Sequence, residues 1–391
     1  MRQNIVVESL EALLYNLYTL SLADRPVLVE LDLVVEKPST ASNASSASRA
    51  VVVDSVTDIA TLVKIVAVQL HRMLKGFPPA YCHLAELYAK LDPNPAGKLV
   101  VVTSDDFETM YSVGKSFVEE PRNYIMSLFE ALPLSQLGYM IVYPDAIDLL
   151  EKELGTLYHK MLKNATAVRL HARYDQLYKE LTDILDFAGL NVANNTPYRV
   201  AEAIRTLKEE QRKTIEDELV HSLLRLNVDR DTGEIRETPE HFLTKALVVK
   251  TLVEKLRNSG VKEDEIAERI RVEDEETLQP ATPDIVYEDE QENLTVYEIE
   301  TLLMPSADPL LYLYEKYTRT KRLKEAPNRY RIKELYIVLP NTTALAAYPK
   351  QHRKQLKEIA TKLSKQLLER QEAVKIATID LKTKTLKTIT N

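Results

Sequence analysis

The chain predicts an α/β protein of two or three domains, and three observations lead there. At 391 residues it exceeds one typical hydrophobic core. Over the first 150 residues, short β-prone runs alternate with amphipathic helical stretches, the pattern of strands joined by helices. After residue 236 the signals run helix, strand, strand, helix, strand, helix, strand, strand.

The amino-terminal part (1–150) reads as an α/β domain. Strands are expected at 26–37, 50–53, 98–103 and 138–143, where Val, Leu, Ile and Tyr concentrate. Helices are expected at 9–20, 58–74 and 121–132 from their apolar periodicity. Residues 38–48 are Pro, Ser, Thr, Ala and Asn alone, so this stretch reads as an exposed, mobile loop tip. Segments 146–162, 165–188 and 197–224 carry apolar residues at three- and four-residue spacing, so 151–230 is expected to be a helical connector. The polar turn from Asn227 to Gly233 marks the next boundary.

The last domain (236–391) opens with Thr238 as N-cap, Pro239 at the first helical position and Gly260 as the stop. Phe242, Ala246, Val249, Val253 and Leu256 form its apolar stripe. Two β-prone runs then flank the polar segment Asp289-Glu290-Gln291-Glu292-Asn293. A hairpin centred on Gln291 sets Asp284 opposite Glu298. Strand alternation puts Glu298 and Glu300 on one face and Ile299 on the other. A helix at 310–323, a strand at 334–339, a basic helix at 350–369 and strands at 374–382 and 385–390 complete the order.

On this register three carboxylates converge, and their repulsion is costly unless a proton or a cation resolves it. A divalent ion such as Mg²⁺, which prefers oxygen ligands, is the usual solution. Charge along the chain points the same way. The net charge is −8, yet residues 305–391 hold 19 Lys/Arg against 8 Asp/Glu, which leaves −19 on the rest. Residues 263–300 alone carry 15 acidic side chains against two basic ones, Arg269 and Arg271. Such a cluster followed by a basic segment suits a metal-dependent enzyme acting on polyanions, the alternative being solvated helix faces.

These residues resemble the PD-(D/E)XK nuclease superfamily, in particular archaeal members with an E-x-E strand. The resemblance covers about residues 236–391. It rests on Pro239-Glu240-His241, Pro283-Asp284, Glu298-Ile299-Glu300-Thr301, Glu315-Lys316-Tyr317 and the strand Leu335 to Asn341. It implies a restriction-endonuclease-like αββαβ core and Mg²⁺- or Mn²⁺-dependent hydrolysis of DNA phosphodiesters. Asp284 and Glu298 would ligate the metal, and Glu240 would add a ligand directly or through water. Glu300 stands where the commoner pattern has lysine, so it acts as base or further ligand. Lys316 is then the substitute lysine, with Arg319 one turn on. That departure also admits a second reading, a nuclease-like module that binds nucleic acid without cutting. RNA is the alternative substrate, and a homodimer is left open.

No apolar run approaches the ~20 residues of a membrane span, the amino terminus lacks a signal-peptide core, and a cytoplasmic protein without a membrane partner is expected. A single cysteine, Cys82, excludes an internal disulfide, and Trp-free, Gly-poor composition suits a thermostable protein. Val113-Gly114-Lys115-Ser116 lacks the first glycine of a P-loop, Thr109 standing in its place. A ligand-sensing role for the first domain finds no glycine-rich phosphate cradle. Glu30, Asp32 and Glu36 recur at even spacing and read as a solvated strand face, and His241 reads as a surface or capping histidine.

Overall fold

The computed structural model describes residues 5–34, 45–114, 120–132, 136–164, 166–191, 199–229, 232–304, 307–319, 322–370 and 372–390. The chain is α/β and forms two compact units, each built on a six-stranded sheet. The first comprises 1–183, 195–201 and 303–307, the second 184–194, 202–302 and 308–391.

The first unit's strands are β1 (Ile5–Val7), β2 (Val27–Val34), β3 (Ala80–His83), β4 (Lys98–Val102), β5 (Tyr139–Val142) and β6 (Ala167–Arg173). All are parallel, in the order β1-β6-β2-β5-β4-β3. Helices cover both faces, which is why the β4 and β5 sequences are continuously apolar rather than alternating. On one face Leu28, Cys82, Val100, Val102, Met140 and Val142 join a core with the helices Pro121–Ala131 and Pro144–Leu154. On the other, Tyr139 meets Ser21 of the helix Leu10–Leu22 (3.1 Å) and the ring edge of His71 in Ser45–Lys75 (centroids 5.9 Å).

Several expectations for this part are corrected. Residues 50–53 are not a strand but lie within the 31-residue helix Ser45–Lys75. Three consecutive valines favour a strand only where sheet packing awaits them, and here a long helical run absorbs them. The stretch 146–226, expected to be helical throughout, contains β6. Glu30 is not on a solvated face. It is fully buried, taking the Arg169 Nε–H at 2.6 Å and the Tyr158 hydroxyl. Of the expected loop tip, 38–44 lies outside the described residues and 45–48 begins the long helix. Gly114 ends the helix Ser104–Gly114, whereas a P-loop glycine precedes its helix; Lys115 and Ser116 lie outside the described residues, as does Glu36.

In the second unit β7 (Ile270–Val272), β8 (Ile285–Glu288), β9 (Leu294–Ile299), β10 (Ile332–Val338), β11 (Val374–Asp380) and β12 (Thr385–Thr388) lie side by side in sequence order. The run β7-β8-β9 is antiparallel, β9-β10-β11 parallel and β11-β12 antiparallel. The expected element order is present, with an unforeseen short helix, Glu263–Arg269, and an unforeseen strand, β7, inserted between its first helix and β8. Thr238 caps the helix Pro239–Asn258, its side chain accepting the His241 N–H at 3.2 Å. The parallel crossovers run through the helices Pro309–Arg319 and Lys350–Leu367.

The β8–β9 hairpin has the register read from the sequence, with Ile285 opposite Tyr297 and Val286 opposite Val296. Its loop is organised by the Asp289 carboxylate, which accepts the N–H groups of Gln291 (2.9 Å) and Asn293 (2.8 Å). Leu294 and Val296 are buried on one face of β9 and Tyr297 and Ile299 on the other, so the hairpin is covered on both sides.

Candidate functional site

At the carboxyl end of β9 the sheet places acidic side chains where water is scarce. Asp284 immediately precedes β8, and its carboxylate accepts the Ile299 N–H at 2.6 Å. Glu300 extends the β9–β10 ladder by donating its N–H to Val338 O at 2.9 Å. Asp284 and Glu300 are buried, at 7% and 6% exposure. Glu298 lies between them along the rim. Burial drives its pKa well above the usual carboxylate range, the Asp284 charge adds to this, and Glu300 and Glu273 contribute further. Lys316 opposes the rise. Asp284 and Glu300 thus stand within electrostatic reach of Glu298 on this rim.

Two side chains from the helix Pro309–Arg319 meet this cluster. The Lys316 ammonium and the Tyr317 hydroxyl (2.8 Å) both donate to Glu300 Oε1. Burial lowers the Lys316 pKa, but the attraction of Glu300, Glu298 and Asp284 outweighs it and the net direction is upward. Lys316 is thus bonded to Glu300, with Glu298 and Asp284 adding to the attraction. The Arg319 side chain lies outside what is described.

Glu240, at the start of the helix Pro239–Asn258, accepts a hydrogen bond from Thr342 beyond β10. Its neighbour His241 is the residue that reaches Asp284. Nε2 lies 3.2 Å from Asp284 Oδ2 and Nδ1 lies 2.8 Å from Glu237 Oε2. The surface or capping reading of His241 is therefore corrected. Burial works against its charge, yet the bonds to Asp284 and Glu237 carry its pKa up to about 10.

Beneath lies Lys245, fully buried, 2.6 Å from Glu273 and 3.0 Å from Glu237. Its two partners shift in opposite directions. Burial raises Glu273, with Asp284 and Glu237 repelling it; Glu237 falls because His241, the Asn227 N–H and Lys245 together outweigh burial. Sequence reading missed Glu237, Glu273 and Lys245. Glu273 belonged to the acidic run, but Lys245 sits in the apolar part of a helix and carried no signal of its own.

Among the described residues, no three His, Cys, Asp or Glu side chains stand arranged to hold a metal ion. Lys316 and His241 neutralise the carboxylates instead. Glu298 is left with its negative charge disfavoured by burial and by Asp284, a charge that a hard divalent cation would relieve. No family model matches this chain, and no curated protein or solved structure matches it.

Proposed function

We propose that the second unit is a Mg²⁺- or Mn²⁺-dependent nuclease hydrolysing DNA phosphodiesters through an αββαβ core of the restriction-endonuclease type. The observation that supports this reading is the Lys316 ammonium bonded to buried Glu300 at the same rim as Asp284 and Glu298. Asp284 and Glu298 would hold the cation. Once bound, it would supply Lewis-acid charge for the phosphoryl oxygens and favour deprotonation of the attacking water. Glu240, engaged with Thr342, is left outside the first ligand set.

The chain's own groups do the rest. The Ile299 N–H and His241 fix the Asp284 carboxylate in orientation. Tyr317 fixes Glu300, and Glu300 aims Lys316 at the place where a phosphate would sit. Lys316 then offsets phosphate charge, the role that lysine plays on the strand in the commoner pattern, while Glu300 is the acceptor for the water proton. Lys354, Lys357, Lys362 and Lys365 line the exposed side of the helix Lys350–Leu367 and track the DNA backbone without reading its sequence.

A supercoiled-plasmid assay with Mg²⁺ or Mn²⁺ tests the proposal. Cleavage that Asp284→Ala or Glu298→Ala abolishes is the expected result; cleavage unaffected by either would remove this site from the chemistry. A second reading, a non-cutting nucleic-acid-binding module, is favoured by the Lys316–Glu300 pair, which neutralises the site from within. DNA retention without cleavage under any divalent metal would select it.

A further inference from the structure

We propose that the second unit takes an unpaired nucleobase into the hollow beside Tyr330, with the Tyr330 ring as its stacking platform, so that single-stranded DNA is the favoured substrate. The proposal rests on the nuclease reading for its partner, DNA, but its test needs no cleavage.

Tyr330 is the most exposed large apolar side chain among the described residues, at 70%. Neither its ring nor its hydroxyl has a partner among them. Its backbone, by contrast, is pinned. It belongs to the 3-10 helix Pro327–Arg331, where Asn328 Nδ2 donates to Thr277 O at 3.1 Å and Arg331 Nε to Glu292 O at 2.8 Å. The Arg370 guanidinium holds Tyr330 O at 3.2 Å and Ile332 O at 3.1 Å. A bare aromatic plane on a fixed base loses little freedom when a flat ring stacks on it.

A hollow of about 620 Å³ lies beside it. Pro280 and Pro327 give it apolar walls, and Glu275, Gln279, Thr282 and Glu325 supply polar groups. Side chains three apart in a 3-10 helix eclipse, so Tyr330 stands on the side of Pro327 that borders the hollow. The two carboxylates disfavour a phosphate there but accept N–H groups, which suits a base with an exocyclic amine. Thr282 precedes Asp284 by two residues, ~7 Å of chain at most, so a base in the hollow adjoins the carboxylate rim.

The phosphates find cations close by. Arg370, which holds the Tyr330 carbonyl, and Lys333, three residues on, are exposed and form no ion pair with a described carboxylate. Arg370 follows the helix Lys350–Leu367, so the lysines proposed to track the backbone lead towards Tyr330. Cations along a strand's path with an accessible aromatic plane among them form a single-strand site, because only an unpaired base can leave its neighbours to stack there.

The experiment measures fluorescence anisotropy of labelled oligo(dC), oligo(dT) and a blunt duplex with the whole chain, in EDTA so that nothing is cut. Single strands should bind more tightly than the duplex, and oligo(dC) more tightly than oligo(dT). Tyr330→Ala should weaken single-strand binding by about tenfold with duplex binding and Tm unchanged, and Tyr330→Phe should restore it. Single-strand affinity no greater than that for duplex, or binding indifferent to Tyr330→Ala, would overturn the site. Equal binding of oligo(dC) and oligo(dT) would overturn the part given to Glu275 and Glu325. If the strands bind as expected while no divalent metal yields cleavage, the base site stands and the nuclease reading falls; metal-dependent cleavage with no single-strand preference does the reverse.

Discussion

Asp284 and Ile299 are joined by a 2.6 Å hydrogen bond in which the carboxylate caps the last N–H of β9. One residue on either side of that bond, Glu298 and Glu300 point to the crowded rim, so the side chain proposed to hold metal also closes the hairpin.

Glu298 is different: burial and the Asp284, Glu300 and Glu273 carboxylates disfavour its charge, and Lys316 opposes them. Glu298→Gln removes repulsion from Asp284 and Glu300 and should raise metal-free stability by about 1 kcal/mol in urea denaturation while abolishing cleavage. Saturating Mn²⁺ at ~100 times its Kd should stabilise the wild type by about 2.7 kcal/mol and the variant far less. A Glu298→Gln protein that is less stable than wild type without metal would contradict the electrostatic picture of the rim.

Lys245 makes the opposite prediction. Lys245→Met keeps the shape but leaves Glu237 and Glu273 facing each other without their shared cation. A loss of about 3–5 kcal/mol, read from the denaturation midpoint at constant slope, is expected.

His71 is 1% exposed, and neither ring nitrogen has a hydrogen-bond partner. Burial lowers its pKa below the ordinary 6.5, with Lys75 adding to the effect. As pH falls through 6.5 the unfolded chain takes up this proton before the folded one, so stability declines on the acid side. His71→Leu should gain about 1 kcal/mol near neutrality and show a shallower decline below pH ~6.5 in Tm measured against pH.

Gly189 has φ +70°, and a Cβ built there would lie 2.1 Å from Ile379 O. Asn341 Nδ2 holds the same spot, donating to Ala188 O and Ile379 O at 2.7 Å each. Gly189→Ala should cost more than about 3 kcal/mol, because backbone rather than a flexible side chain must give way. Calorimetry of the variant gives the answer directly.

If the exposed lysines of the helix Lys350–Leu367 track phosphates, replacing Lys357 and Lys365 with Gln should reduce the slope of log affinity against log salt by about 2. An unchanged slope would place the DNA elsewhere.

The carboxylate rim was legible because its determinants are local. Fifteen residues separate Asp284 from Ile299, and the loop organised by Asp289 fixes the register between them. The partners that were missed lie far apart in sequence. Glu30 reads as solvated until Arg169 and Tyr158 are brought to it from 139 and 128 residues away. Likewise, Lys245 looks like a stray charge in a helix until Glu273 arrives on the chain beyond β7. The valines at 51–53 carry a true β preference that the flanking helix overrides, a conflict that no local window resolves.

The outermost strand of the mixed sheet, β7, offers only three residues, and its central Arg271 is bound to Asp274 at 3.1 Å and Glu288 at 2.6 Å. An incoming chain seeking to lengthen the ladder there would find few free backbone groups, and ionic side chains that must be stripped of their partners first. Aggregation by strand addition is blunted at that border by the shortness of the strand and by its ion pairs.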